Sequence, residues 1–519
     1  MTTPGASAAA VPGLRRNMVT ICAMTATIMQ ALDTTIANVA LPYMQGTLSA
    51  SQDQINWVLT SYIVAAAIMT APVGWIANRF GRKRIFIICS AGFTIASVMC
   101  GLAQDITQMV VFRLLQGVFG AALVPLSQAV MLDSYALHER AKAMAIWGMG
   151  VMMGPIMGPS LGAWLTETYS WHWVFFVNLP FGVFTVLGLV IFMDETKTNL
   201  ELRFDWFGFT ALAIAIGALQ LALDRGEQLG WLESNEIIAE FIIAGIGFYY
   251  FLAHSLTTDR PFIQFALFKD RNFVSGCVFM AVMGLVLFST MALSSPFLQN
   301  VIGYPIITAG LLLASRGCGT FVAMMLVGRI MRHVEARTLI ICGLSLTAGS
   351  LFYMTGWTDQ TGGTEIVVIS VVQGFGFGLV FVPLSTVAFL TLPNHLRTDG
   401  TSMLTLMRNV ASSIGISLVI AQLTQGSRYT YAILSEHINP FNHALQMPNV
   451  RGMIDLATDT GRAMADAMVK VQAQIIAFSH DYQMVMIFTA CAIPLAIMIG
   501  STKAALRAQS AAPDHAVIE

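Results

Sequence analysis

One carboxylate, Asp33, lies near the middle of Met18–Leu41, an apolar stretch long enough to cross a bilayer. A charge at the centre of a membrane helix costs at least about 2.5–3.5 kcal/mol, so this group needs a partner or a chemical role. Polar side chains at helical spacing form one stripe with it: Thr27, Gln30, Thr34 and Asn38. The stripe should face protein or water. Asp33 is then either a packing carboxylate with a polar partner or, as we favour, a proton carrier.

Three arginines also fall inside predicted membrane spans: Arg113, Arg316 and Arg408. Each lies roughly 10–17 Å from the nearer end of its span, too deep to reach the membrane surface, so we expect all three to line the bundle interior. The depths of Asp33 and Arg113 differ by only roughly 6 Å, which an arginine can bridge. We hypothesise that Asp33 carries a proton and Arg113 tunes it, although Arg113 also fits a packing role. Arg408 is either a counter-charge or an anion contact.

The composition is typical of an integral membrane protein. The chain has 519 residues, 56% hydrophobic and 11% charged, with a mean hydropathy of +0.70, whereas soluble domains carry about 25% charged residues. A net charge of −1 gives no sign of a nucleic-acid partner. The seven cysteines show no CxxC spacing, and the nine histidines are scattered, so we expect no metal, no cofactor and no enzyme active site.

Apolar runs separated by polar or Pro/Gly breaks predict fourteen spans. They are 17–43, 54–77, 84–103, 106–133, 140–166, 171–193, 206–224, 236–256, 272–299, 305–330, 337–356, 364–391, 399–426 and 482–503. With the N-terminus inside, the inner segments hold 19 of the 27 lysines and arginines, and the outer loops hold five. The positive-inside rule then predicts that both termini are cytoplasmic.

Two stretches of the chain resemble each other and indicate a duplication. The run Gln116–Ser127 in the fourth span matches Gln373–Ser385 in the twelfth, at an offset near 255 residues. Two six-helix bundles with two inserted helices explain the fourteen spans. Parallel halves of this kind, with the binding site between them, are the architecture of major facilitator transporters. The expected parts are a tail 1–16, a bundle 17–193, inserted helices 206–256, a bundle 272–503 that includes an outer loop 428–481, and a tail 504–519.

The fifth span carries glycines at strict i+4 spacing with prolines between them: Gly150, Gly154, Pro155, Gly158, Pro159 and Gly162. The glycines give a face that lets another helix approach closely, and the prolines remove helical hydrogen bonds. Close helix packing alone is the plainer interpretation of this pattern.

This glycine and proline series resembles the antiporter motif of drug:proton exporters in the major facilitator superfamily. Leu32–Pro42 is similar to the first-helix motif of the fourteen-helix branch, and Arg113–Gly117 to the fourth-helix motif. The cytoplasmic-loop motif is matched by Gly74, Arg79, Gly81 and Arg82. Further matches are Trp171–Gly182 and Leu223–Gly226 ahead of Trp231. The ordered set covers nearly the whole chain and is most similar to EmrB-type multidrug exporters.

The resemblance implies an all-α polytopic protein of a bacterial inner membrane that exports lipophilic drugs in exchange for protons, by alternating access. It implies a periplasmic adaptor of the EmrA type and an outer-membrane channel of the TolC type as partners. A proton-coupled symporter or importer of the same fold is the alternative. The residues expected to line the substrate cavity are Gln30, Thr34, Asn38, Tyr62, Gln128, Phe288, Arg316 and Gln373. The excess of interior arginines fits a weakly acidic or neutral lipophile.

The chain departs from the family at two places. Asn78 stands where the cytoplasmic-loop motif usually has an acid, and Asp399, near the start of the thirteenth span, is a possible replacement. Arg316 looks like a feature of only part of the branch. The outer loop 428–481 contains Met464, Met468, Val471 and Ile475 at helical spacing, which predicts an amphipathic helix that is either a lid or a docking surface.

Overall fold

The computed structural model describes residues 13–136, 139–196, 198–201, 203–258, 261–331, 333–393, 396–439, 442–443, 447 and 456–498. The predicted C-terminal tail 504–519 and most of the N-terminal tail 1–16 lie outside the described residues. So does most of the segment 440–455 within the predicted outer loop.

The first half of the chain forms helices α1 to α9. Their bounds are α1 Gly13–Thr47, α2 Gln52–Thr70, α3 Val73–Phe80, α4 Arg82–Gly101, α5 Ile106–Gly120, α6 Leu123–Ser134, α7 Arg140–Thr168, α8 Trp173–Phe176 and α9 Asn178–Phe192. Two further helices follow, α10 Trp206–Leu229 and α11 Asn235–Thr257.

The second half forms helices α12 to α17. Their bounds are α12 Arg271–Pro296, α13 Ile306–Ile330, α14 Ala336–Met354, α15 Gly363–Val387, α16 Arg397–Glu436 and α17 Asp459–Leu495. A short π-helical turn, Phe297–Val301, extends α12.

Within the described residues, 13 helical segments are long and apolar enough to cross a membrane. A bent pair, Gln54–Thr70 with Val73–Phe80, makes a fourteenth if it is one span, with a bend of 56° at Pro72. Proline lacks the backbone N–H that would continue the helix, which accounts for the break. The structure confirms an all-α, multi-pass membrane protein with two six-helix bundles and two inserted helices.

Local sequence signals set several helix starts. Ser51 caps α2 in a reciprocal capping box with Gln54, and Asp105 caps α5 by accepting from the backbone of Gln108. Gly81, with φ +94°, links α3 to α4, a backbone conformation that favours glycine. The α3–α4 turn is thereby fixed at one end of the bundle. We call this end the basic end, because Arg79, Arg82 and Arg397 lie there.

The inserted helices pack beside the junction of the two halves. On α10, Asp224 accepts a hydrogen bond from Thr60 of α2, in the first half. The backbone oxygen of Leu223 accepts one from Ser417 of α16, in the second half. An ion pair between Arg225 and Glu236 ties α10 to α11. Helix α10 therefore covers the α2–α16 junction.

The helices flanking the predicted outer loop are longer than the apolar pattern indicates. Helix α16 continues to Glu436, and α17 is one helix from Asp459, whereas the predicted spans end at 426 and begin at 482. The amphipathic segment around Met468 is the first part of α17. No glycine or proline lies between Gly461 and Pro494, so nothing in this sequence stops the helix.

Candidate functional site

A buried ion pair lies inside the first bundle. Arg113 Nη1 donates to Asp33 Oδ2 at 2.7 Å, and the side chains of Arg113 and Asp33 are 1% and 0% exposed. Helix α1 supplies the carboxylate and α5 supplies the guanidinium. The predicted proximity of the two residues is observed.

Two amides complete the surroundings of the carboxylate. Gln116 Nε2 donates to Asp33 Oδ1 at 2.8 Å, while its Oε1 accepts from Arg113 at 2.8 Å. Asn178, the first residue of α9, donates to the same Oδ1 at 3.2 Å and to Ser97 at 3.0 Å. Asp33 therefore accepts hydrogen bonds from three side chains, those of Arg113, Gln116 and Asn178.

The guanidinium is held from two further sides. Its Nε donates to the backbone oxygen of Val58 at 3.0 Å. The ring of Tyr62 lies 4.4 Å from its central carbon and that of Phe175 at 5.6 Å, both within range of a cation–π contact. Gln30 donates to the Tyr62 hydroxyl at 3.2 Å. Tyr62 is buried, with 2% of its surface exposed, and its ring lies against the guanidinium of the ion pair.

The stability of this arrangement depends on both charges of the ion pair. Removing one partner of a buried ion pair costs about 3–5 kcal/mol, because the other charge is left uncompensated. A proton on Asp33 would leave Arg113 with Gln116, Val58 and two rings but no counter-charge. The protonated site is therefore stable only if α1 and α5 rearrange or if water enters.

The glycine face of α7 packs against the helix that carries Asp33. A side chain at Gly154 would meet the backbone of Ala31, and one at Gly158 would meet Thr35. Thr35 Oγ1 donates to the backbone oxygen of Gly154 at 3.0 Å. Gly150 and Gly162 continue the contact toward Met24 and Ile36. The α7 helix runs unbroken through Pro155 and Pro159, and the side chain of Pro155 lies outside the described residues.

The other side of α7 touches the second half. A side chain at Gly317 of α13 would meet Ile156, and one at Gly310 would lie 3.1 Å from Ser160. Helix α7 is therefore packed between the Asp33 helix and the second bundle, where it can transmit a shift from one to the other.

A cluster of charges joins the two halves at the basic end. Asp133, at the end of α6, forms ion pairs with Arg82 of α4 and with Arg397 of α16, the latter at 2.8 Å. The first two residues belong to the first half and Arg397 to the second. In this conformation the two halves are bound together at the basic end.

Asn78 and Asp399 form a second link at the same end. Asn78 Nδ2 donates to Asp399 Oδ2 at 3.3 Å, and a side chain at Gly74 would collide with Asp399. Arg79 stacks on Trp75 with 5.2 Å between the guanidinium carbon and the ring centre. Asp399, which the sequence offers as a replacement for the acid missing at Asn78, thus lies against Asn78 from across the junction, on the second half.

The remaining residues expected in a cavity differ in burial. Thr34 and Phe288 are half-buried, Asn38 is exposed, and Gln128 and Gln373 are buried. Gln30 and Tyr62 contact each other, as described above. The structure thus brings Gln30 and Tyr62, but not the other six residues, to the ion pair.

The two other interior arginines lie in the second half and apart from the ion pair. Arg316 is 6% exposed and donates to Ser294 at 3.4 Å. Arg408 is half-buried and donates to Asn409 at 3.4 Å. Among the described residues, neither forms an ion pair with a carboxylate.

A cavity of about 540 Å³ opens beside the Asn78–Asp399 link. Trp75 lines it, together with the segments that flank the inserted helices, including Arg203 and Phe262. None of the residues expected to line the substrate cavity contributes to it. This cavity belongs to the basic end of the bundle and is separate from the Asp33 site.

Asn178, Ser97 and Cys100 belong to the site, although they are not among the site residues predicted from the sequence. Asn178 stood in a recognised motif, Trp171–Gly182, but carried no assigned role. A polar amide in an otherwise apolar run was the available signal. Ser97 and Cys100, which donates toward Gln116 at 3.6 Å, are small residues common in any membrane helix, so nothing in the sequence marked them.

Comparison with known proteins gives the family. Residues 23–416 match the profile described as Major Facilitator Superfamily. The chain belongs to the major facilitator superfamily. This is a family of transporters, not of enzymes. The internal repeat and the fourteen-span pattern agree with this assignment.

Curated relatives of this major facilitator protein are named for drug or fatty-acid resistance. The chain is 34% identical over 467 residues to the multidrug export protein EmrB of Escherichia coli (strain K12), which covers 89% of this chain and 90% of the relative. It is 33% identical over 428 residues to the fatty acid resistance protein FarB of Neisseria gonorrhoeae, covering 82% and 84%.

Solved structures share the fold at lower identity. The proton:xylose symporter XylE, bound to 6-bromo-6-deoxy-D-glucose, has a TM-score of 0.57 at 14% identity, covering 93% of this chain and 96% of that chain. A bacterial homologue of the human lysosomal transporter Spinster, inward-facing and unoccupied, has a TM-score of 0.55 at 18% identity, covering 94% and 98%. These structures support the fold and say nothing about the substrate.

Proposed function

We propose that this major facilitator protein is a proton-driven exporter of lipophilic toxic compounds, including antibiotics, which works by alternating access. The observation that carries the proposal is the buried Asp33–Arg113 pair, held by Gln116 and Asn178 inside the first bundle. The names of the relatives, multidrug export protein and fatty acid resistance protein, support export over import.

The proton gradient is the energy source. A proton that crosses 100 mV releases about 2.3 kcal/mol, and each pH unit adds about 1.4 kcal/mol. A proton reaching Asp33 neutralises the carboxylate and frees Arg113, and its release on the other side restores the attraction. Export against a gradient of several hundred fold then requires roughly one proton per cycle.

The proposed orientation places the basic end in the cytoplasm of a bacterial cell, with the protein in the inner membrane. The excess of lysine and arginine in one set of loops supports this assignment. With this orientation, the Asp133–Arg397 and Asn78–Asp399 links close the cytoplasmic side in the conformation described here.

The substrate we expect is a weakly acidic or neutral lipophile. Arg316 and Arg408 have no carboxylate partner among the described residues, so an anionic or polar group of a substrate would find a counter-charge in the second half. Phe288 and the abundant methionines provide adaptable apolar surface.

A tripartite assembly with an adaptor of the EmrA type and an outer-membrane channel of the TolC type follows from the resemblance alone. The extensions of α16 and α17 are the surface that we assign to the adaptor. They contact each other where Tyr431 donates to Asp466 at 2.6 Å. Site-directed photo-crosslinking from an exposed position such as Tyr429 should capture the adaptor in cells.

Drug transport in everted vesicles tests the function. We expect an imposed pH gradient, acidic inside, to drive drug into the everted vesicles, and an uncoupler to abolish it. Drug movement in the opposite direction, together with the proton, would establish the symporter alternative. Transport driven by ATP in the presence of an uncoupler would refute the proposal.

A further inference from the structure

The second half of the molecule lacks the charge arrangement of the first. The internal repeat pairs Arg113 with Ser370 and Gln116 with Gln373, each 257 positions later. Arg113 and Gln116 both form side-chain hydrogen bonds, whereas Ser370 Oγ and both amide atoms of Gln373 have no hydrogen-bond partner among the described residues. The second half therefore does not repeat the Asp33 site on equivalent helices.

A carboxylate and a guanidinium are nevertheless present there, on other helices. Helix α17 corresponds to α9, since each is the last helix of its bundle and each bonds to the third helix. Asn178 of α9 donates to Ser97 at 3.0 Å, and Ser479 of α17 donates to the backbone oxygen of Thr355 at 2.7 Å. Next to this contact, α17 carries Asp481.

Asp481 is a buried carboxylate without a hydrogen-bond partner in the part of the chain that the structure describes. It is 0% exposed, and neither of its oxygens has a hydrogen-bond donor among the described residues. Its neighbour Tyr482, also 0% exposed, donates to Ser294 at 3.4 Å, and Arg316 donates to the same hydroxyl at 3.4 Å. The guanidinium of Arg316 thus bonds to Ser294 and not to Asp481.

The helices packed against α17 offer no counter-charge in this conformation. Their charged or titratable side chains are Arg271 and Cys277 on α12, Arg337, Cys342 and Tyr353 on α14, and Arg397, Asp399, Arg408, Arg428, Tyr429, Tyr431 and Glu436 on α16. In the described part of the chain, none of them forms an ion pair or hydrogen bond with Asp481. His480, on α17 itself, is exposed.

An ionised carboxylate cannot remain in such surroundings. Transfer of an unpaired charge into a dry protein interior is so unfavourable that the group takes up a proton instead. Asp33, by contrast, has a guanidinium and two amides to hold its charge. In the same conformation, Asp33 therefore has a counter-charge, whereas Asp481 has none among the described residues.

We propose that Asp481 is a second proton carrier of the transport cycle, which holds its proton in the conformation where Asp33 is paired with Arg113. It would release the proton when the second bundle rearranges and admits water or Arg316 to its oxygens. The inference rests on the proposed proton-driven export, since it assigns a second proton to the same cycle.

Infrared difference spectroscopy of the purified protein during a pH titration tests the proton directly. We expect a C=O stretching band of a protonated carboxyl group that is absent in Asp481→Asn and unchanged in Asp466→Asn. Asp466 is a matched control on the same helix, exposed and paired with Lys470 at 2.6 Å. If the Asn variant does not fold, Asp481→Glu should keep the band at a shifted frequency. A band that Asp481→Asn leaves intact would overturn the proposal.

A transport measurement tests the carrier role. In proteoliposomes, the largest drug gradient that one pH unit supports should fall at least about tenfold in Asp481→Asn, because one coupled proton fewer is a factor of ten per pH unit. An unchanged gradient would overturn the carrier role. If wild-type protein shows no proton-coupled transport at all, the proposed function fails, and the infrared result still decides whether Asp481 holds a proton.

Discussion

Asn178 donates a hydrogen bond to Asp33 over 3.2 Å, although 145 residues separate them in the chain. The contact brings the end of the first bundle back to its first helix. It also means that the ionised carboxylate depends on a residue that carries no charge.

Replacement of this amide should change the pH dependence of transport. Asn178→Ala removes one of the three donors that hold the Asp33 carboxylate, an interaction worth about 1.5–3 kcal/mol with a charged acceptor, and so weakens the hold on the group that we propose carries the proton. The pH at which drug transport is half-maximal should rise accordingly. Asn235→Ala, at an exposed site on α11, is the control. A uniform loss of activity at every pH would show a purely structural role for Asn178.

Packing between α1 and α7 should tolerate no added methyl group at Gly154. A Cβ there would meet the backbone of Ala31, which cannot move as a side chain tip can, and overpacking of this kind costs about 1–3 kcal/mol. We expect Gly154→Ala to lower the melting temperature and the transport rate. Gly245→Ala in α11 has nothing within 4 Å of its new Cβ and should leave stability unchanged or raised. Equal melting temperatures for the two variants would contradict the packing that we describe.

The amide at position 78 and the acid at position 399 should be interchangeable, because the link needs one of each. Asn78→Asp places two carboxylates in contact across the junction and should open the basic end. The double variant Asn78→Asp, Asp399→Asn restores one acid and one amide and should close it again. Pulsed electron spin resonance distances between labels on α4 and α16 would report both changes. Additive effects in the double variant would show that the two residues do not interact.

Much of the fold could be predicted from the sequence, because bilayer thickness fixes the length of apolar runs. The bent second span was predicted as one segment, 54–77, since a single proline does not interrupt a hydrophobicity pattern. The continuous α17 was not predicted. The sequence predicts an amphipathic helix in the loop before residue 482 but not that this helix continues into the last span, although no glycine or proline lies between Gly461 and Pro494.

The Asp33 site was only partly predictable, for a related reason. Depth along a helix follows from counting residues, so Asp33 and Arg113 could be matched at 1.5 Å per residue. Counting residues does not give the rotation of a helix about its axis, nor the packing of helices that are remote in sequence. Asn178 therefore entered the site only with the structure. Arg408, which the sequence already places in the second half, bonds to Asn409 and is apart from Asp33.

The central claim is that Asp33 carries the proton, and one comparison of two transport modes tests it most directly. Asp33→Asn keeps the shape of the side chain but cannot ionise. In proteoliposomes it should lose drug accumulation driven by a pH gradient, while drug exchange across the membrane without a gradient persists. Asp359→Asn, in the exposed turn between α14 and α15, should match wild type in both modes. Gradient-driven accumulation that persists in Asp33→Asn would contradict the account.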